Sequence, residues 1–181
     1  GELAFADRWF GGVTKNPWDL TQGSSGSSAG SAASVSAGLL PFAIGTETYG
    51  SIISPSMRCG TVGLRPSFGA VSRSGAMVLS WSLDKIGPIT RNAKDAAIVY
   101  DYIKGTDSVD PSAVDYPFKY LPPDNINTLK IGVAENYYRN IPAGNPLFEI
   151  LQKLKDAGSS LHTTNFPDSG SADSGLMSMI I

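Results

Sequence analysis

The 181-residue sequence holds one cysteine, Cys59, and one histidine, His162. A single cysteine excludes an internal disulfide, and it fits a reducing compartment without requiring one. A single histidine leaves one candidate base for any histidine-dependent nucleophile. Charged residues make up 17% of the chain and the net charge is −2. So balanced a charge carries no electrostatic footprint for nucleic acid or an anionic membrane surface. No apolar run approaches the roughly 20 residues of a membrane span. No signal peptide and no internal repeat is visible. The chain opens on Gly1 rather than Met and closes on the apolar run "GLMSMII". Together these features read as an internal piece of a longer, cytoplasmic protein.

What is present is an ordinary globular composition with 41% hydrophobic residues, enough for one substantial core. Residues 1 to 23, with "FGGVTKNPWDLTQG", read as irregular loop because Gly, Asn-Pro and Asp punctuate them. From Ser28 to Leu40 the alanines, then Val35, Leu39 and Leu40, predict a tightly packed helix with its start at Ser27–Ser28. "PFAIGTET" predicts a short buried strand, "YGSIISPS" a turn, and "GTVGLRPSFGAVSRSGA" strand-like pieces between Gly and Pro breaks. "TRNAKDAAIVYDYIKG" predicts a helix capped by Asn92, with a stripe of Ala96, Val99 and Ile103 and a stop at Gly105. Residues 106 to 127 read as a long surface connection. "LKIGVAE", "NPLFEILQKLKDAG" and "SLHTTNF" then predict strand, helix and strand, the helix capped by Asn145 with Pro146 at its first position. That order implies a βαβ unit. The class is α/β with a mixed sheet covered by helices. Cys59 reads as a small buried residue, and Trp9, Trp18 and Trp81 as packing.

The most unusual stretch is "TQGSSGSSAGSAASVSAG", residues 21–38. A flexible linker needs a self-sufficient domain on each side, and too few residues precede this one. A phosphate-binding loop is weakly supported, since the glycines miss G-x-G-x-x-G and no G-K-[ST] follows. "GSSAG" formally matches the G-x-S-x-G nucleophile elbow with Ser28 at its centre. That reading needs a strand before the elbow, where "NPWDLTQGS" is a poor one, and His162 as base. An α/β-hydrolase using Ser28 and His162 is therefore the alternative.

A longer series of motifs, "GSSAGSAASVSAGLLPFAIGTETYGSIISPSMRCGTVGLRPS" followed by "LSWSLDKIGPITR", closely resembles the amidase signature family of amidohydrolases. The likeness is dense from residue 11 to about 105 and looser beyond. It implies that residues 1–181 are part of a single amidase signature domain, without its N-terminal segment and its C-terminal remainder. It implies a serine nucleophile, a second serine in a cis peptide and a lysine. The family's spacing between the two serines is kept when Ser27 is the cis-serine and Ser51 the nucleophile. Thr48, Tyr49 and Gly50 then present backbone N–H groups to an oxyanion, with Ser28, Glu47 and Asp84 in support. A serine hydroxyl needs a positioned base, and a buried lysine amine can serve once burial disfavours its ammonium form.

Three departures qualify the likeness. The family's lysine lies well before the serine motif; Lys15 is too close and Lys85 comes after the nucleophile. The base is therefore expected outside these residues, and the fragment alone is expected to be inactive. Tyr49 replaces the first glycine of T-G-G-S, and its ring is expected to narrow the acyl pocket. Glu47 and Ile53 stand where the family has Asp and Arg, so the polar support is expected to be rebuilt around a different cation. The implied partners are a small-molecule amide and either a second copy or amidotransferase partner subunits, with no direct nucleic acid. No metal or cofactor is expected. The rivals are the glutamine-hydrolysing A subunit of a tRNA-dependent amidotransferase and a non-catalytic relative.

Overall fold

The computed structural model describes residues 7–122, 126–135 and 141–165. The terminal "GLMSMII" and the end of "SLHTTNF" lie outside the described residues. The chain divides into a unit up to Tyr120 and a second from Leu121.

Residues 7–23 are more ordered than their Gly and Pro content suggests. Arg8–Trp9 (β1) pairs with Gly12–Val13 (β2), and Lys15–Asn16 (β3) with Asp19–Gly23 (β4), all antiparallel. The turn residues close hairpins here rather than leaving loop. The weak strand pattern of "NPWDLTQGS" thus supplies β4 just ahead of the serine-rich segment. Asn16 Nδ2 donates to the Arg58 carbonyl at 2.9 Å and Trp18 Nε1 to that of Cys59 at 2.9 Å, tying the second hairpin to the body. Trp9, Trp18 and Trp81 are largely exposed. They are not core packing, because two project from these narrow ribbons and the third from a loop.

Helix α1 spans Ala29–Ser36 and starts where predicted, but ends four residues before Leu40. Gly38 turns left-handed at φ +74°. Its N–H bonds the Val35 carbonyl at 3.1 Å while Leu39 N–H reaches that of Ser34 at 3.0 Å, a Schellman stop. Ala29, Ala32 and Val35 form its buried face.

The central sheet has the order β5-β7-β6: Phe42–Glu47 (β5), Lys85–Thr90 (β7) and Val62–Gly63 (β6), all antiparallel. Within "GTVGLRPSFGAVSRSGA" only Val62–Gly63 makes a named strand; an isolated bridge joins Val71 to Gly105. The expected turn "YGSIISPS" runs into a helix, Ile53–Cys59 (α2), that ends on Gly60 at φ +64°. Pro55 falls in its first turn, where a missing N–H costs nothing. Ala32, Val35, Ile52, Cys59 and Ile89 close into one core between the helices and the sheet. Each large apolar side chain fully removed from water there contributes about 1.5–3 kcal/mol. Gly45 makes the close packing possible: a Cβ there would meet Ser28 Oγ at 2.9 Å and Ile52 Cγ1 at 3.0 Å.

Helix α3, Ala93–Ile103, is capped as predicted: Asn92 Oδ1 accepts from Asp95 N at 2.9 Å. It buries Ala96 and Tyr100. The connection after Gly105 is pinned by aspartates. Asp107 and Asp110 accept local backbone N–H groups and also bond Ser72 and Arg73. In the second unit, Lys130–Ala134 (β8) and Ser160–Thr164 (β9) pair in parallel around a helix, Pro146–Asp156 (α4). Asn145 caps α4 by accepting from Leu147 N at 3.0 Å, as the sequence indicates.

Candidate active site

Ser51 sits at the junction of β5 and α2 and is 4% exposed. Strand β5 delivers the chain as far as Glu47, and Thr48-Tyr49-Gly50 turns it into the helix. Gly50 takes φ +103°, a conformation open chiefly to glycine. Tyr49 is not among the left-handed residues, so a side chain is tolerated there. Tyr49 is 52% exposed and does not line the cavity, so its side chain does not narrow that space as expected. Among the described residues, no hydrogen bond takes up the N–H groups of Tyr49, Gly50 or Ser51.

Ser27 follows a cis peptide bond from Gly26. Its neighbour Ser28 fastens this loop to the rest of the site. Ser28 N–H donates to the Ser51 carbonyl at 3.0 Å. Its hydroxyl donates to the Thr46 carbonyl and accepts from Thr46 N, both at 3.1 Å. Ser28 thus binds the serine-rich loop, β5 and the Ser51 turn together. A hydroxyl so engaged with backbone is a clamp rather than an elbow nucleophile. His162, the base of that alternative, is exposed on β9.

The support beneath Ser51 is a buried carboxylate. Glu47 is 1% exposed; its Oε2 accepts from Ile52 N at 2.7 Å and Ile53 N at 2.9 Å. Its Oε1 lies 3.6 Å from Arg65 Nη1. The cation comes from the segment after β6, not from position 53. Asp84 holds the opposite side: Oδ1 accepts from Thr48 Oγ1, and Oδ2 from Leu79 N at 2.8 Å and Ser80 N at 3.0 Å. Earlier serines stay outside: Ser24 is buried, and Ser25 Oγ bonds Ser54 Oγ at 2.7 Å.

These groups border a cavity of about 300 Å³. Ser27, Thr46, Thr48 and Ser51 line it with neutral groups and Arg73, Asp84 and Lys85 with charged ones, with Ala76–Leu79 and Ile86 adding apolar surface. Lys85 Nζ donates to the Thr48 carbonyl at 3.2 Å. Burial pulls the Lys85 ammonium below the ordinary lysine value; Arg65 adds to this, while Glu47 and Asp84 oppose it. Arg73 and the Ala76–Leu79 segment have no local signature in the sequence; they reach the cavity only through long-range packing. A larger cleft of about 680 Å³, lined by Asp7, Asn16, Gln22, Ser25 and Arg58, holds neither serine of the pair. Among the described residues no cluster of His, Cys, Asp and Glu could hold a metal, and no helix is long and apolar enough to cross a membrane.

Known proteins resemble this chain in sequence and fold. The chain is 46% identical to the A subunit of the glutamyl-tRNA(Gln) amidotransferase of Campylobacter concisus over 164 residues, 88% of this chain and 36% of that protein. The crystal structure of the corresponding protein of Thermotoga maritima superposes with a TM-score of 0.82 at 36% identity, covering 92% of this chain and 38% of that one. The native peptide amidase of Stenotrophomonas maltophilia superposes with a TM-score of 0.80 at 36% identity, covering 94% and 37%. The chain thus spans between a third and two fifths of the length of these relatives. Residues 4–181 match the Amidase family. The chain belongs to the Amidase family.

Proposed function

We propose that the protein cleaves a carbon–nitrogen amide bond through an acyl-enzyme on Ser51. The observation that carries this reading is that Ser27 and Ser51 line the same cavity, with the Ser28 N–H donating to the Ser51 carbonyl. Ser51 Oγ attacks the amide carbonyl carbon as its proton passes through Ser27 to a lysine amine outside residues 1–181. The carbonyl oxygen becomes an oxyanion that the N–H groups at Tyr49, Gly50 and Ser51 can meet. Each such preorganised donor is worth about 2.7–4 kcal/mol in comparable enzymes. The proton returns to the departing amine, the C–N bond breaks, and water then releases the acid and restores Ser51. None of these steps calls for a metal or an organic cofactor.

Labelling tests the reading. In the full protein, a fluorophosphonate probe modifies Ser51, and Ser51→Ala abolishes both labelling and amide turnover while leaving the melting temperature unchanged. Labelling on another serine, or turnover by Ser51→Ala, sinks it; unlabelled folded protein favours the non-catalytic relative. Residues 1–181 alone are expected to hydrolyse no amide.

A second reading, the glutamine-hydrolysing A subunit of a tRNA-dependent amidotransferase, is favoured by the 46% identity to the Campylobacter concisus protein. Tyr49 and Ile53, where the family has Gly and Arg, place it second. Ammonia transfer to charged tRNA in the presence of partner subunits distinguishes it.

A further inference from the structure

The charged wall of the cavity holds three ionic groups, and their partners differ. Arg73 is paired with a carboxylate and uses all three side-chain nitrogens: Nε lies 3.2 Å from Asp110 Oδ2, Nη1 donates to the Trp81 carbonyl at 2.7 Å and Nη2 to Ser112 Oγ at 2.8 Å. Asp84 has three donors from Thr48, Leu79 and Ser80. Lys85 makes one hydrogen bond, to the uncharged Thr48 carbonyl, and among the described residues no carboxylate lies within 4.0 Å of its Nζ. An ammonium carries three donors, so two remain for a ligand. The neighbouring wall is apolar, through Ala76, Met77, Val78, Leu79 and Ile86. An ammonium in such a setting gives up hydration that an anion can replace, and their attraction strengthens as water leaves.

The position relative to the chemistry narrows the ligand. Lys85 bonds the carbonyl of the first residue of the turn that presents Ser51. A group at Lys85 is therefore close to the carbonyl under attack. Position 53, where the family's arginine would stand, is Ile53, half-exposed and uncharged. The Arg65 guanidinium is turned to Glu47.

We propose that Lys85 is a specificity-determining residue whose ammonium binds a carboxylate on the acyl part of the substrate. The amides cleaved are then short ones that carry a second, free acid, such as half-amides of dicarboxylic acids. This rests on the reading of Ser51 as nucleophile. The experiment compares the full protein with Lys85→Met and Lys85→Arg on succinamate and glutaramate and on their methyl esters. The quantity read is the kcat/KM of each acid divided by that of its neutral ester. Loss of one charge-assisted contact lowers this ratio about 10- to 100-fold in Lys85→Met, through KM, and Lys85→Arg restores most of it. A ratio unchanged in Lys85→Met, including equal losses on acid and ester, overturns the assignment and leaves Lys85 as a prop for the Thr48 carbonyl. If the wild type cleaves neither substrate, labelling of Ser51 decides the amidase reading, and binding decides Lys85 separately. Succinate or glutarate then raises the melting temperature of the wild type more than that of Lys85→Met, or the assignment falls.

Discussion

The two walls of the cavity are built on opposite principles. One is neutral: Ser27, Thr46, Thr48 and Ser51, with Thr46 and the Ser51 carbonyl held by the Ser28 clamp. The other is ionic: Arg73, Asp84 and Lys85 arrive from the loop and strand that follow β6, and two of the three have three partners each. The neutral wall can bring a nucleophile and oxyanion donors to a carbonyl with little rearrangement. In the proposed function the ionic groups shape the space and discriminate between acyl groups. The difference teaches that positioning here relies on backbone, whose geometry is stiff, while selection relies on side-chain charge, which a substitution can alter without moving the turn.

Asp84 is where the two walls join, so its loss has the largest expected effect on the comparison. In Asp84→Ala the Thr48 hydroxyl and the Leu79 and Ser80 N–H groups lose their acceptor. The full protein is expected to lose about 1–3 kcal/mol of stability, read by denaturant titration. Its kcat is expected to fall about 100-fold as the oxyanion turn loosens. Wild-type kcat in that variant would show that the walls act independently.

Gly45 tests the neutral wall alone. A Cβ there collides with Ser28 Oγ and Ile52. Gly45→Ala is expected to cost about 1–3 kcal/mol by overpacking and to lower the rate of Ser51 labelling. A stability loss with unchanged labelling would mean that the Ser28 clamp does not position Ser51.

The smallest effect belongs to the far end of the ionic wall. The Asp110 carboxyl is held well below the usual carboxylate range, first by the Ser112 hydroxyl and then by the N–H groups and side chain of Arg73 and the Ser112 N–H. Asp107 is pushed down to about 2, chiefly by the Ser72 hydroxyl. A folded-state value below the unfolded one stabilises above about pH 4, and that contribution is lost as the pH falls toward 2. Asp110→Asn is therefore expected to melt lower at pH 7 and to lose less on acidification from pH 4 to 2. Parallel melting curves for the two proteins across that range would remove Asp110 from the account.

Much of the fold was legible in the sequence because the signals are local. Asn92 with Asp95, and Asn145 with Pro146, announce helix starts whose hydrogen bonds span two or three residues. The hairpins of the first 23 residues were not legible, since their strands are two to five residues long and are held by partners near Cys59. Helix α2 was missed because Gly50, Pro55 and three serines look like a turn, and only burial of Ile52 and Cys59 makes that segment helical. The pairing of Ser27 with Ser51 was readable from spaced motifs. Arg65 as the partner of Glu47 was not, because 18 residues and a sheet crossing separate them.

By itself the sequence determined the family, the capped helices and the residue types available for chemistry, all of which depend on short-range pattern and spacing. Only the tertiary structure decided which hydroxyls are clamps and which face the cavity, and which charges there keep unsatisfied donors. Those outcomes depend on antiparallel pairing of β5 with β7, which sets Glu47 opposite Lys85 and carries Asp84 to Thr48 across 36 residues. Pairing over such distances is selected by burial of the whole core, not by any local stretch.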